Sequence, residues 1–280
     1  MSWFKEQLHK HVAQSFEISE LIYEGRTAFQ AVRIFRNGTL GRVMTLDEVV
    51  QTTEADEFIY HEMISHPAIL AHGAVRKVLI IGGGDGGVLE EVLKHGVEKV
   101  VQCEIDREVT ELSRAHLPSI CGKAFEDPRT ECVFGDGAKY VAETDERFEV
   151  VIIDSTDPAG PGLVLFSEEF YRNCRRCMTP GGVLVTQNGV PFLQREELQN
   201  SVAAFRKIFN HGGCYLAGVP TYYCGPMALG WASDGHDLKA VDEAAIAERF
   251  ARSRIETRWY NPEIHRAAFA LPQYLKALVG

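Results

Sequence analysis

The chain has 280 residues, 45% apolar and 24% charged, long enough for a sizeable core and unlike a disordered or collagen-like chain. Twenty-nine basic against 39 acidic residues leave a net charge of −10, so nucleic-acid or membrane binding is not expected as its main work. No apolar run approaches the roughly 20 residues that span a bilayer, MSWFKEQLHKH has no apolar leader core, and seven scattered cysteines read as reduced thiols, which together point to the cytoplasm.

Residues 1–53 alternate as strands do and predict a small antiparallel β-sheet domain. Strands are expected over 16–21, 30–35, 40–44 and 49–52, with Asn37-Gly38 as a two-residue hairpin turn. Thr53 looks like the N-cap of a helix over 54–70, in which Pro67 is a candidate kink. From residue 76 the texture changes, and 54–280 is read as one domain. Strands are expected at 77–81, 99–105, 130–134, 149–153, 183–187, 214–219 and 227–233. They alternate with helices at 87–95, 107–117, after Asp136, 167–178, 193–209 and 239–251. Such alternation predicts an α/β fold, a mostly parallel, doubly wound, Rossmann-like sheet.

The run Gly82-Gly83-Gly84-Asp85-Gly86-Gly87 falls where a strand becomes a helix. It fits the dinucleotide pattern G-x-G-x-x-G and equally the looser turn of methyltransferase-like folds. Glu104 ends the next strand, where an acid takes ribose hydroxyls. A tight turn with a solvated acid is the plain alternative, but turn and acid share the register of a nucleoside site. Asp85 separates the two ligand classes, because a carboxylate in the loop repels a pyrophosphate and attracts a cation. That favours a sulfonium nucleoside over NAD.

Acids recur at the carboxyl ends of successive strands, at Asp85, Glu104, Asp136 and Asp154, with Asp157 close behind. Asp136 alone could be a helix cap, and Asp154 and Asp157 could be turn-formers. Together they line one sheet edge, which suits a polycationic substrate. An aliphatic amine has a pKa near 10 by analogy with lysine, and it attacks carbon only as the free base. A carboxylate must take its proton, and Asp154 is the candidate base.

At this point the chain resembles the spermidine synthases, the polyamine aminopropyltransferases. The matching segments are Gly41-Arg42-Val43-Met44, VVQTTEADEFIYHEM (49–63), VLIIGGGDGG (78–87), EID (104–106), DSTDPAGPG (154–162), VTQNG (185–189), PTYY (220–223) and YNPEIHRAAFALPQY (260–274). The family fold is an N-terminal β domain before a methyltransferase-like Rossmann domain. The resemblance implies that decarboxylated S-adenosylmethionine, a co-substrate, gives its aminopropyl group to putrescine, yielding spermidine and 5′-methylthioadenosine with no metal or other cofactor. It implies Asp154 as proton acceptor, and Gln30, Glu104, Asp136, Gly137 and Pro161 around the nucleoside. It also implies His61, Asp85, Asp154, Ser155, Thr156 and Asp157 along the amine chains, and Gln51, Tyr60 and Tyr222 at the diamine. A homodimer or homotetramer is implied as well. Gln102-Cys103, Gly135 and Gly225-Pro226-Met227-Ala228-Leu229 depart from the usual family residues. These departures leave the preferred amine open, since one methylene is discriminated by only about 1–3 kcal/mol.

Three other readings stand beside this one. An S-adenosylmethionine-dependent methyltransferase shares the glycine turn, and a non-catalytic polyamine-binding module shares the fold. Cys174 and Cys177 are the only close cysteine pair, with no second pair at zinc spacing, so they read as helical core residues rather than a metal site.

Overall fold

The computed structural model describes residues 2–156 and 160–280. β1 (Ser2–His9) and β2 (Val12–Ile18) form an antiparallel hairpin. β3 (Glu20–Arg26), β4 (Ala31–Asn37), β5 (Gly41–Leu46) and β6 (Val49–Thr53) form a four-stranded antiparallel sheet in chain order. The strand expected over 16–21 is thus split at Ser19, whose N–H and hydroxyl both bond Arg36 O at 2.9 Å. β1 was not expected, because its inward positions are Phe4 and Glu6, and a buried carboxylate breaks the apolar alternation. The turn after Asn37 is wider than two residues. Asn37 pairs with Gly41, and the Asn37 side chain accepts from Thr39 N at 2.9 Å and Leu40 N at 3.0 Å.

α1 (Glu57–His72) starts later than Thr53. The Thr53 hydroxyl donates to Asp56 Oδ1 at 2.6 Å, and Asp56 takes the cap position. The helix runs through Pro67 without stopping. A proline leaves the carbonyl four residues back without its N–H partner. Here that carbonyl, Met63 O, accepts the Tyr215 hydroxyl at 2.7 Å instead.

The rest of the chain is the expected α/β layer structure. The strands are β7 (Lys77–Gly82), β8 (Lys99–Glu104), β9 (Thr130–Phe134), β10 (Phe148–Asp154), β11 (Met178–Gln187), β12 (His211–Ala217) and β13 (Met227–Ser233). The helices are α2 (Gly87–Leu93), α3 (Arg107–His116), α4 (Pro118–Cys121), α5 (Gly137–Glu143), α6 (Glu168–Arg176), α7 (Arg195–Ile208), α8 (Glu243–Ser253), α9 (Pro262–Ala268) and α10 (Gln273–Val279). Sheet order is β12-β13-β11-β10-β7-β8-β9, parallel from β9 to β11 and antiparallel at β13 and β12.

Alternate residues of each central strand feed two cores. Val78, Ile80, Val150 and Ile152 pack with α1 and α2, whereas Leu79, Ile81, Val151 and Ile153 pack with α6 and α7. Burial on both faces explains the unbroken apolar runs of these strands. A third cluster ties Val32, Ile34 and Met44 of the small sheet to Val109, Leu117 and Ile120. Among the described residues no helix is long and apolar enough to cross a membrane. Chain order reverses between β7 and β10, and the crevice beyond their carboxyl ends is where such sheets bind ligands.

Candidate active site

Gly82 ends β7 opposite Asp154 at the end of β10. Gly83 N donates to Asp154 O at 2.9 Å. Gly82 has φ +87°, and a Cβ there would sit 2.1 Å from Asp154 O. Only glycine permits that approach. Gln102, one of the family departures, donates from Nε2 to Gly82 O at 3.1 Å and Gly83 O at 2.5 Å. It pins the same turn from the neighbouring strand.

Asp154 is half-buried, and Tyr60 of α1 donates its hydroxyl to Oδ1 at 2.5 Å. Burial and the nearby Asp85 push the Asp154 carboxyl up to about 6, against the opposing pull of His61 and Tyr60. Burial and Asp154 also hold the Tyr60 phenol protonated, well above its ordinary range.

Asp85 Oδ1 accepts from Gly87 N at 3.0 Å, and Oδ2 lies 3.3 Å from His61 Nε2. Burial alone would raise the Asp85 carboxyl, but His61 and the Gly87 N–H bring it below its usual range. His61 Nδ1 meets Glu57 Oε2 at 2.6 Å. Burial opposes the charged ring, yet Asp85 and Glu57 raise its proton affinity well above the ordinary value.

At the other end of the crevice, Glu104 closes β8 and accepts from Asp106 N at 2.8 Å. Burial pushes its carboxyl up to about 7. Asp106 caps α3 and accepts from Thr27 Oγ1 at 2.6 Å and Gln30 Nε2 at 3.0 Å, which brings Gln30 to the Glu104 end. Asp136 does cap α5, accepting from Ala138 N at 2.8 Å, and it also lines the cleft. Gly137 packs on Ile81, where a Cβ would lie 2.4 Å from Cγ2.

A cleft of about 390 Å³ joins these groups. Gln30, Gln51, Tyr60, His61, Asp85, Glu104, Asp136, Gly137, Asp154, Ser155, Thr156 and Tyr222 all line it. Asp157 and the Pro161 side chain lie outside the described part. Gln51 O accepts the Tyr222 hydroxyl at 2.5 Å, and the Tyr60 and Tyr222 rings meet edge to face at 6.0 Å.

Other cleft residues escaped the sequence reading. Glu6 is 3% exposed and accepts from Val50 N at 2.9 Å. Gln14 bonds Glu6 and reaches Thr221 O at 2.8 Å, while Thr221 is held by Asp56 through N (2.9 Å) and Oγ1 (2.7 Å). Leu8, His9 and Gln187 join the same wall. The one signal for Glu6 was an acid at an inward position of an alternating strand.

Cys174 and Cys177 are buried core thiols, with Cys177 Sγ 3.2 Å from Cys174 O and pushed up by burial to about 11. Among the described residues no three His, Cys, Asp or Glu side chains form a group that could hold a metal ion.

Comparison with known proteins fits this arrangement. A family model described as the spermine/spermidine synthase domain matches residues 57–242, and one described as the spermidine synthase tetramerisation domain matches residues 2–54. The chain is 52% identical over 277 residues to the polyamine aminopropyltransferase of Ruegeria sp., covering 99% of this chain and 98% of that one. It is 51% identical over 281 residues to polyamine aminopropyltransferase 1 of Pseudomonas aeruginosa, covering 100% and 98%. A crystal structure of spermidine synthase in complex with the transition-state analogue AdoDATO superposes with a TM-score of 0.95 at 40% identity, covering 100% of this chain and 95% of that chain. The fold, the acid-lined crevice at the strand switch and these full-length matches show that the chain is an enzyme of the spermidine synthase family, the polyamine aminopropyltransferases.

Proposed function

We propose that the chain transfers the aminopropyl group of decarboxylated S-adenosylmethionine to putrescine, giving spermidine and 5′-methylthioadenosine. The observation that carries this reading is Asp154, a half-buried carboxylate at the glycine turn that Tyr60 holds by one oxygen inside the acid-lined cleft, its carboxyl pushed up to about 6 by desolvation and Asp85. A base near neutrality accepts a proton and still stands ionised at pH 7.

On this reading the amine nitrogen attacks the aminopropyl carbon bonded to the sulfonium. The new C–N bond forms as the C–S bond breaks, its electron pair neutralises sulfur, and Asp154 takes the amine proton. Tyr60 fixes one oxygen of Asp154 and leaves the other for the amine. Gln30, Glu104, Asp136, Gly137 and Pro161 take the nucleoside. The two raised carboxyls suit their parts: Glu104 would gain ribose hydroxyls as donors in place of lost water. His61, Asp85, Ser155, Thr156 and Asp157 border the amine chains, and Gln51, Tyr60 and Tyr222 the diamine. The donor is a co-substrate, and no metal or other cofactor takes part. The matched tetramerisation domain supports a dimer or tetramer. Unpaired cysteines among the described residues fit a reducing compartment such as the cytoplasm.

Product analysis by mass spectrometry tests the reading. Putrescine is offered with decarboxylated or intact S-adenosylmethionine, and cadaverine, agmatine and spermidine follow as acceptors. Spermidine and methylthioadenosine from the decarboxylated donor alone are expected. A methylated product from the intact donor overturns the reading in favour of a methyltransferase, and no product from either favours a binding module.

A further inference from the structure

Glu57 lies in the first turn of α1 and does not line the cleft. Its Oε2 meets His61 Nδ1 at 2.6 Å, while the other ring nitrogen meets Asp85 Oδ2 at 3.3 Å. Ionised carboxylates only accept hydrogen bonds, so carboxylates at both nitrogens ask for an N–H at each, which is the imidazolium. The ring is 2% exposed and lies close against Gly87, where an added Cβ would come 2.1 Å from its Cε1, and Tyr60 packs edge-on at 5.4 Å. The titratable groups around it are Glu57 and Tyr60 of α1, Asp85 of the glycine loop, Glu91 of α2 and Asp154 of β10.

We infer that Glu57 is a positioning residue for the reaction: by holding His61 as a cation it keeps Asp85 anionic and Asp154 free to accept a proton, without touching substrate. This rests on the reading above that Asp154 is the base. Two carboxylates close together in a partly desolvated site, as Asp85 and Asp154 are, tend to share one proton. The His61 cation offsets that tendency, and its charge depends on both flanking acids. An acid in a first helical turn also favours the helix dipole. That role alone predicts a small stability change and no change in the charge of His61.

The test uses the full chain with ¹⁵N-labelled histidine. In the native protein at pH 8 both His61 ring nitrogens are expected to be protonated. In Glu57→Gln the ring is expected to lose its proton between pH 6 and 8, and the acid limb of kcat/KM to rise by about one pH unit. Transfer at pH 6 then falls about fivefold and recovers above pH 8. A neutral His61 in the native protein at pH 8 overturns the inference, as does a variant with His61 still charged and the limb unmoved. If Glu57→Gln does not fold, the native spectrum decides alone. If no aminopropyl product forms in the native protein, the function reading fails, and the spectra still decide whether Glu57 sets the charge of His61.

Discussion

The feature that suits Asp154 to the proposed role of base costs stability. Its carboxyl sits at about 6 in the folded protein against an ordinary 3.8, so the fold binds that proton more tightly than the unfolded chain does. The resulting stability is present in full below about pH 4 and is lost as pH rises to about 6. Above that the charged, half-buried group costs up to about 3 kcal/mol at 1.36 kcal/mol per decade. Asp154→Asn is therefore expected to lower kcat by about 10²–10⁴-fold while methylthioadenosine still binds. The same variant should unfold at higher temperature than native at pH 8, a gain that vanishes at pH 4. The acid limb of the native kcat/KM profile should lie near 6. Asp85 carries a second prediction. A donor carboxylate about 4 Å from it costs about 4 kcal/mol at an effective dielectric of 20. Asp85→Asn should shrink the preference for the decarboxylated donor by as much as a thousandfold, read as the ratio of kcat/KM for the two donors. Equal ratios in native and variant would remove Asp85 from that role. Residues such as these were legible because strand ends fix where acids point. Glu6 and Thr221 were not, since their place in the cleft depends on contacts that no local pattern records.

At the scale of elements, α1 carries the demands of several neighbours on consecutive residues. Tyr60 and His61 face the cleft, and Glu62 turns to the C-terminal segment. The Glu62 carboxylate accepts from the N–H groups of Arg258, Trp259 and Tyr260 at 2.7, 2.9 and 2.6 Å. Buried donors left unpaired cost about 1–3 kcal/mol each. Glu62→Ala is expected to lower stability by roughly 3 kcal/mol or more in urea unfolding, with the Glu62→Gln variant in between. A loss below about 1 kcal/mol would mean that water replaces the carboxylate. The Rossmann strands were readable because burial on both faces makes them uniformly apolar. The helix bounds of α1 were less so, since Asp56 rather than Thr53 takes the cap and Pro67 is rescued by Tyr215, 148 positions away in the chain. The last two helices, α9 and α10, gave no clear period over their seven residues each.

For the whole molecule, a net charge of −10 and a cleft that gathers Glu6, Asp85, Glu104, Asp136 and Asp154 draw cations from a distance. Raising KCl from 50 to 300 mM shortens the Debye length from about 14 Å to about 6 Å. The KM for the amine is expected to rise several-fold over that range, while the dissociation constant of uncharged methylthioadenosine, measured by calorimetry, stays nearly constant. Equal sensitivity of the two would assign amine recognition to short contacts alone.

On the proposed function, the end of the cleft assigned to the acceptor is a seam rather than a pocket. Gln14 reaches Thr221 and Tyr222 reaches Gln51, so β2 and β6 are stitched to the segment between β12 and β13, while Glu6 holds Val50 within the N-terminal strands. Such a seam works like a caliper. One jaw belongs to the N-terminal strands and the other to the segment between β12 and β13, and their spacing is set by stitches outside the reacting atoms. Chain-length preference can then drift through substitutions that reseat one jaw against the other, with Asp154, Tyr60 and the glycine turn left untouched.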